Sequence, residues 1–441
     1  MPQGDAIDWP AVRDEAVLLL QELLRIDTTN PPGSEHAAAE LLAAVLAREG
    51  FEPRLLSSAP GRTSLVARLQ GSGERGPLLL QGHTDVVPAD PGEWTRPPFA
   101  GEIADGCVWG RGALDMKGAL VMQALALVLA KRLGLRPRGD VIFCAVPDEE
   151  TGGYLGAGWL VENHPQLIRA EVALGEVGGY TMFVGGEGGD RFYPIQVTEK
   201  VGCQLRLRVG GASGHGSMPI RDGAMAKAGR VLEALTRQRL PAHISPVAER
   251  FVRTLAESQP LLLGLLDPSR SDGVLAELGT EARMWEAILH NTAVPTVIQG
   301  GSKTNVIPGS VEITLDGRLL PGQSAETFIG EVRGVIGDDA EIVNVRHTPS
   351  RTEAPVDAFF EELCGVVREL DPGARPVPAI VTGVTDARHF ARLGARCYGF
   401  APVRLSPETP FWTLFHGADE RIPINGLGFG VQAIFRVLER Y

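Results

Sequence analysis

The sequence predicts an α/β protein in which one domain, with a mostly parallel central sheet, is interrupted by a second, α+β domain. Short apolar runs at Ser64–Leu69, Leu78–Leu80, Val141–Val146 and Val172–Leu174 alternate with helical stretches, notably Met116–Leu133 and Gly156–Glu162. Strands that are apolar on both faces and separated by helices belong to a parallel sheet covered on both sides. After about Arg191 the pattern becomes a strict alternation, in Gln204–Val209 and Val311–Asp316, which marks half-exposed antiparallel strands. From about Glu353 helix and buried strand return, ending in a helix over Leu427–Glu439. The expected division is 1–194 and 353–441 for the two parts of one domain, with 195–352 inserted between them.

The first helix is expected over Glu15–Leu24, before the break Asn30-Pro31-Pro32-Gly33. Ser34 is placed to cap a second helix that runs to about Arg48 and is closed by Gly50. Within the insertion a helix is expected over Ala224–Leu235, whereas Leu240–Pro295 is poorly patterned and receives no assignment. A chain of 441 residues is comfortable for two domains, and 44% hydrophobic with 22% charged residues is a globular balance. The net charge of -12 argues against general affinity for nucleic acid or for anionic membrane surfaces. No stretch approaches the ~20 consecutive apolar residues of a membrane span. Met1–Trp9 is polar and acidic, without the basic-then-apolar order of a signal peptide. The five cysteines are odd in number and show no CxxC pair, as expected of reduced thiols in a cytoplasmic protein.

The chemistry is carried by clusters that each begin where a strand stops. Leu78–Gly82 runs into His83-Thr84-Asp85, Val141–Pro147 into Asp148-Glu149-Glu150-Thr151-Gly152, and Val172–Gly175 into Glu176. A fourth cluster places Asp115 just before the long helix. In open α/β sheets ligands sit beyond the carboxyl ends of the strands, so these groups are expected to converge. One histidine and four or five carboxylates would repel unless divalent cations joined them. Mixed imidazole and carboxylate donors suit zinc, with cobalt or manganese as alternatives. Asp85, two residues after His83, is placed to accept a hydrogen bond from the imidazole and fix its tautomer. Glu149 and Glu150 point different ways on an extended chain, so one can ligate while the other serves as general base. Taken singly, a His-x-Asp pair or an Asp-Glu-Glu run is more often structural or solvated. Their joint occurrence at strand ends is what carries weight.

In this order, His83-x-Asp85, Gly112-x-x-Asp115-x-Lys117-Gly118, Asp148-Glu149-Glu150-x-Gly152, Glu176 and the late His416 resemble the M20 family of metallopeptidases and amidohydrolases. Gly210–Pro219, Lys303–Pro308 and Thr382–Arg388 also look like motifs of that family, and the similarity covers nearly the whole chain. The resemblance implies a zinc-peptidase-like catalytic domain and an inserted lid and dimerisation domain. It implies two metal ions, zinc first, with Asp115 bridging them. His83 and Glu176 would complete one site, Glu150 and His416 the other. Asp85 would orient His83, Glu149 would be the general base, and the Asp115–Met116 peptide bond would be cis. His215 would stabilise the oxyanion, often from a partner subunit's lid, while Asn305, Arg318 and Gly383 would bind substrate. Arg318 also shares a strand face with Glu312, Thr314 and Asp316, so a solvated ion pair is its plainer reading.

The implied reaction is hydrolysis of the amide bond of N-acyl amino acids, or of C-terminal peptide bonds beside a free carboxylate. The implied partners are a small-molecule substrate and a second copy bound through the lid, with neither nucleic acid nor membrane. Three alternatives stand beside this reading: a short-acyl deacetylase or desuccinylase, a dinuclear aminopeptidase, and a non-catalytic binding protein. The texture around Asn291–Thr296 and Tyr398–Phe400 lies nearer the carboxypeptidase S and aminoacylase branch. The stretch from Leu240 to Pro295 makes the lid longer than in compact dimeric relatives.

Overall fold

Val141–Val146, Leu78–His83 and Val172–Gly175 are buried at every position, as strands must be when helices cover both faces of their sheet. They lie side by side and parallel, in that order, and Arg396–Gly399 continues the parallel set beyond Val172–Gly175. These four form the centre of a nine-stranded mixed sheet. Arg62–Leu69 runs antiparallel to Val141–Val146, and Arg54–Ala59 antiparallel to Arg62–Leu69. The last two strands are joined by only Pro60-Gly61, and so short a connection permits only an antiparallel pair. Asp190–Glu199 pairs antiparallel with Arg396–Gly399 on the other side. The α/β class stands, with parallel pairing among these four central strands, three of which end in the acidic clusters.

This computed structural model describes residues 7–185, 188–348, 353–409 and 411–441. Met1–Ala6, within the segment read as lacking a signal peptide, and the boundary expected at residue 352 lie outside them. The chain forms two compact units, Met1–Val197 with Thr352–Ala379 and Thr385–Tyr441, and Thr198–Arg351 with Ile380–Val384.

In the first unit the helix Lys117–Arg132 is buried from Lys117 to Ala130, which explains why its sequence is apolar all round. It packs on the sheet and against the helices Trp9–Leu24 and Ile424–Arg440. The second helix spans His36–Arg48, and Ser34 does not cap it. The backbone N–H groups of Glu35 and His36 donate instead to the carbonyl of Gly61, at 2.9 and 3.1 Å. At the other end Gly50 takes φ +76°. Gly50 N donates to Ala47 O and Phe51 N to Leu46 O, a Schellman closure that needs a residue at ease with positive φ.

The second unit is built on an antiparallel sheet in the order Thr292–Gly300, Ser310–Leu319, Val201–Gly210, Glu341–His347. Burial alternates along the two central strands. Their inward residues, including Leu205, Leu207 and Ile313, pack with Val231 of the helix Ala224–Arg237 and Phe328 of the helix Ala325–Ile336. The stretch left unassigned from sequence folds into the helices Pro246–Ala256, Ser271–Leu278 and Ala282–Leu289. Two of these are eight residues long, too short to display a period. Lys200 holds this segment to the sheet, its Nζ donating to Ala287 O and His290 O, both at 2.9 Å. An ammonium is well matched to the orphan carbonyls at a helix C-terminus.

Candidate metal centre

The parallel register sets the site. His83 ends its strand opposite Val146, and Leu80 lies opposite Leu174, so His83, the Glu149-Glu150 turn and Glu176 leave the sheet at one edge. Asp148 at φ +78° bends the Glu149-Glu150 turn and Val177 at +53° the one after Glu176, and His416 itself takes +57°. Such backbone is uncommon for residues other than glycine and concentrates at functional sites. Asp115 follows the loop after Trp109 and precedes the helix Lys117–Arg132, and its bond to Met116 is cis, the isomer expected from the resemblance.

Two groups of donors form around Asp115. His83 Nε2 lies 3.1 Å from Asp115 Oδ1 and 3.5 Å from Glu176 Oε2. His416 Nε2 lies 3.1 Å from Asp115 Oδ2 and 3.4 Å from Glu150 Oε2. A tetrahedral ion with ligand bonds of about 2.0–2.1 Å separates its donors by about 3.3 Å, so both triads have the spacing of a coordination shell. Each Asp115 oxygen serves one triad, as in a carboxylate bridging two ions. Glu150 Oε1 is buried and has no hydrogen-bond partner among the described residues, an orphan that a cation would satisfy.

The electrostatics point the same way. Burial alone would lower His83, yet hydrogen bonding to Asp115, Asp85 and Glu176 holds it well above an ordinary imidazole. Hydrogen bonds to Asp115 and Glu150 lift His416 to about 10. Burial pushes Glu176 up to about 7, and burial with the charge of Glu176 holds Glu149 well above the usual carboxylate range. While Asp115 and Asp85, despite burial, are held low beside the histidines, the two histidines, Glu149 and Glu176 thus favour protons, as groups in a site lacking positive charge must. Divalent cations would supply that charge and reverse these tendencies. The residues present fit two such ions.

Asp85 meets His83 chiefly through its backbone. His83 Nδ1 donates to the backbone carbonyl of Asp85 at 2.9 Å, while the nearer carboxylate oxygen is 3.6 Å away. A carbonyl only accepts, so the proton is fixed on Nδ1 and the Nε2 lone pair faces the metal position. The Asp85 carboxylate instead accepts from Glu149 N on Oδ1 and from Glu150 N on Oδ2, both at 3.1 Å. It holds the backbone of the turn that bears the base candidate and a ligand candidate.

Glu420, to which the sequence reading gave no role, organises the Asp115 loop. Its Oε2 accepts from Arg111 Nη1 at 2.7 Å and Gly112 N at 2.9 Å, its Oε1 from Leu114 N at 2.7 Å and Asp115 N at 3.0 Å. Arg111 Nη2 also donates to His416 O, tying the loop to the segment of the second histidine. Both side chains are almost fully buried. Removing one partner of such a pair costs roughly 3–5 kcal/mol, because the other charge is left unpaired. Glu420→Ala is expected to lose that much in urea unfolding of the metal-loaded protein. A loss below about 1 kcal/mol, the scale of a surface pair, would contradict this role. The available signal was an acid four residues beyond His416. Asp386 was also passed over; burial raises it to about 8, and neither of its oxygens has a partner among the described residues.

The remaining candidates lie in the second unit. His215 and Asn305 are exposed, and His215 Nδ1 lies 2.7 Å from Ser217 Oγ. Arg318 Nε and Nη2 donate to the two oxygens of Asp316 at 2.9 and 3.2 Å, the ion pair that its strand face allowed. Gly383 is partly buried, in the bend after Val381. Back in the first unit, a narrow pocket beside Asp115 and Glu176 is walled by Met116, Met122, Val177, Tyr180, Phe411 and Phe415. Tyr180 stacks on Phe411 with ring centroids 4.0 Å apart.

Fold and site together define a metallohydrolase of amide or peptide bonds. The chain belongs to peptidase family M20/M25/M40, whose model matches residues 79–440. It is 28% identical over 391 residues to the N-fatty-acyl-amino acid synthase/hydrolase PM20D1 of Xenopus tropicalis, covering 86% of this chain and 75% of that one. It is 26% identical over 416 residues to aminoacylase-1 of Sus scrofa, covering 92% and 90%. In fold it is similar to the M20 family metallo-carboxypeptidase Sso-CP2 of Sulfolobus solfataricus, with a TM-score of 0.70 at 18% identity, covering 97% and 99%.

Proposed function

We propose that this protein is a two-zinc hydrolase that cleaves N-acyl amino acids with an apolar acyl group, releasing a carboxylic acid and an amino acid. The observation that carries the reading is Asp115, which offers one oxygen to each of two histidine–glutamate pairs. Two bound divalent ions would polarise the scissile carbonyl and make a water acidic enough to attack near neutral pH. His83, Asp115 and Glu176 would hold one ion, and Asp115, Glu150 and His416 the other. Glu149 belongs to neither triad among the described residues. It takes the proton of the attacking water and returns it to the leaving amine. His215 is assigned to the oxyanion, and Asn305, Arg318 and Gly383 to the substrate carboxylate. Because Arg318 already forms a two-point pair with Asp316, the substrate would exchange one carboxylate for another on the same guanidinium.

The apolar acyl group is inferred from the pocket of Met116, Met122, Val177, Tyr180, Phe411 and Phe415. Each buried methylene contributes about 0.8 kcal/mol, or about fourfold in kcat/KM. From N-acetyl to N-propionyl amino acids kcat/KM is expected to rise by about that factor, and Phe411→Ala, which widens the pocket, to extend the rise to longer acyl chains. A preference for the charged succinyl group, or no dependence on length, would overturn the acyl assignment and favour a desuccinylase.

The second unit is assigned to dimerisation. Thr292–Gly300 is an edge strand, and Val294, Val297 and Ile298 on it are exposed. Sedimentation equilibrium is expected to give twice the chain mass of 47.1 kDa, and a monomer would remove this assignment. Among the described residues no helix is long and apolar enough to cross a membrane. All five cysteines are free thiols, which supports a reducing, cytoplasmic location; cell fractionation tests it, and secretion of the protein would contradict it.

A further inference from the structure

We propose that Asn30, held by Arg62, is a positioning residue for the Glu149-Glu150 turn, acting through Asp85 and selectively on the metal position that includes Glu150. This rests on the two-metal reading above. Both residues precede residue 79, where the match to the family model begins.

Asn30 is 2% exposed, and its amide is fully engaged. Its Nδ2 donates to Asp85 Oδ2 at 2.8 Å and to Thr151 Oγ1 at 3.0 Å, while its Oδ1 accepts from Arg62 Nη2 at 2.9 Å. These partners fix the orientation of the amide, since a carboxylate only accepts and a guanidinium only donates. Asp85 Oδ2 is also the oxygen that accepts from Glu150 N. The line Arg62, Asn30, Asp85, Glu150 is thus an unbroken series of hydrogen bonds from a buried cation to the backbone of a ligand candidate.

Arg62 is itself anchored. Its Nη1 donates to Glu35 Oε1 at 2.5 Å, its Nη2 also to Pro32 O at 2.7 Å, and Asp148 Oδ1 lies 3.7 Å away. Gly33 makes room for it, since a Cβ there would lie 1.9 Å from Arg62 Nη1. The break Asn30-Pro31-Pro32-Gly33 is therefore a seat for a guanidinium as well as a turn. The backbone of Asn30 is secured independently of its side chain: its N–H donates to Val86 O at 2.9 Å, and Thr28 Oγ1 donates to Thr84 O at 2.6 Å. Replacing the side chain should leave this backbone in place.

Removing Asn30 Nδ2 leaves Asp85 Oδ2 with a single donor and frees the carboxylate to turn away from the Glu150 amide. The position of His83 and Glu176 does not depend on that oxygen, because His83 is oriented by the Asp85 carbonyl. Loss of an outer support of this kind costs about 10–100-fold in metal affinity or activity. The test is stepwise zinc binding by calorimetry together with kcat and KM, for wild type, Asn30→Ala, Asn30→Asp and the exposed control Glu40→Ala. In Asn30→Ala one zinc ion should bind about 10–100-fold more weakly while the other is unchanged, with kcat reduced and KM retained. Asn30→Asp keeps the shape and the acceptor for Arg62 but replaces the donor facing Asp85 with a second carboxylate oxygen, so it should be at least as damaging. Arg62→Lys, which lacks the fork, should act in the same direction if the Asn30 variants fail to fold. An Asn30→Asp protein with both affinities intact, or variants that weaken both ions equally, would overturn the inference. A wild type that binds fewer than two zinc ions would instead bring down the two-metal reading beneath it.

Discussion

Glu149→Gln is expected to lower kcat by about 10²–10⁴-fold while both metal ions stay bound. Glu149 contributes no atom to either triad, so its amide variant leaves both coordination sets complete. Its backbone is fixed by the Asp85 Oδ1 bond, and the left-handed Asp148 before it sets the direction in which the side chain departs. Glutamine preserves size and hydrogen-bonding reach but cannot accept and return a proton. Burial favours the protonated form of Glu149 and bound cations would favour the charged one, opposed pulls that suit a group which must both take and return a proton. Activity and metal analysis of the same preparation separate the outcomes. A variant that keeps more than about a tenth of kcat would remove Glu149 from proton transfer, and one that loses metal would make it a ligand.

Asp115→Ala should have the other large effect, and of a different kind. Because one carboxylate serves both triads, its removal should strip both ions at once, whereas Glu176→Ala and Glu150→Ala should each weaken one. Activity should fall with the metals. Metal ions supply several kcal/mol of charge stabilisation, and at about 1.4 kcal/mol per tenfold the loss is on the order of 10³-fold or more. Metal content per chain across the three variants is the check. An Asp115→Ala protein that still holds one tight ion would show that the two positions are independent, not bridged.

How much of this was legible in the sequence follows from where the information resides. Val141–Val146 and its parallel neighbours were readable because burial on both faces leaves near-continuous apolar runs. His83, Glu150 and Glu176 were readable as ligand candidates because each follows such a run, and strand ends are where a parallel sheet presents ligands, whereas Asp115 was marked by the helix it precedes and His416 only by the resemblance. The antiparallel flanks were less visible, since Arg62–Leu69 is as buried as a central strand and differs only in its connection. Glu420 and Asn30 were opaque for another reason. Each works by bonding groups that carry no residue-type signature, backbone amides for Glu420 and the far side of Asp85 for Asn30. Asp85 was placed correctly beside His83, but its carbonyl and its carboxylate divide two tasks that a sequence reading merges into one. The helices between Leu240 and Pro295 escaped because two of the three complete barely two turns.

The most direct test of the two-metal account is elemental analysis of the purified wild-type protein, paired with N-acyl amino acid hydrolysis before and after chelation. The account predicts two divalent ions per chain, loss of hydrolysis when they are removed and recovery when zinc is returned. Full activity in protein free of metal would contradict it.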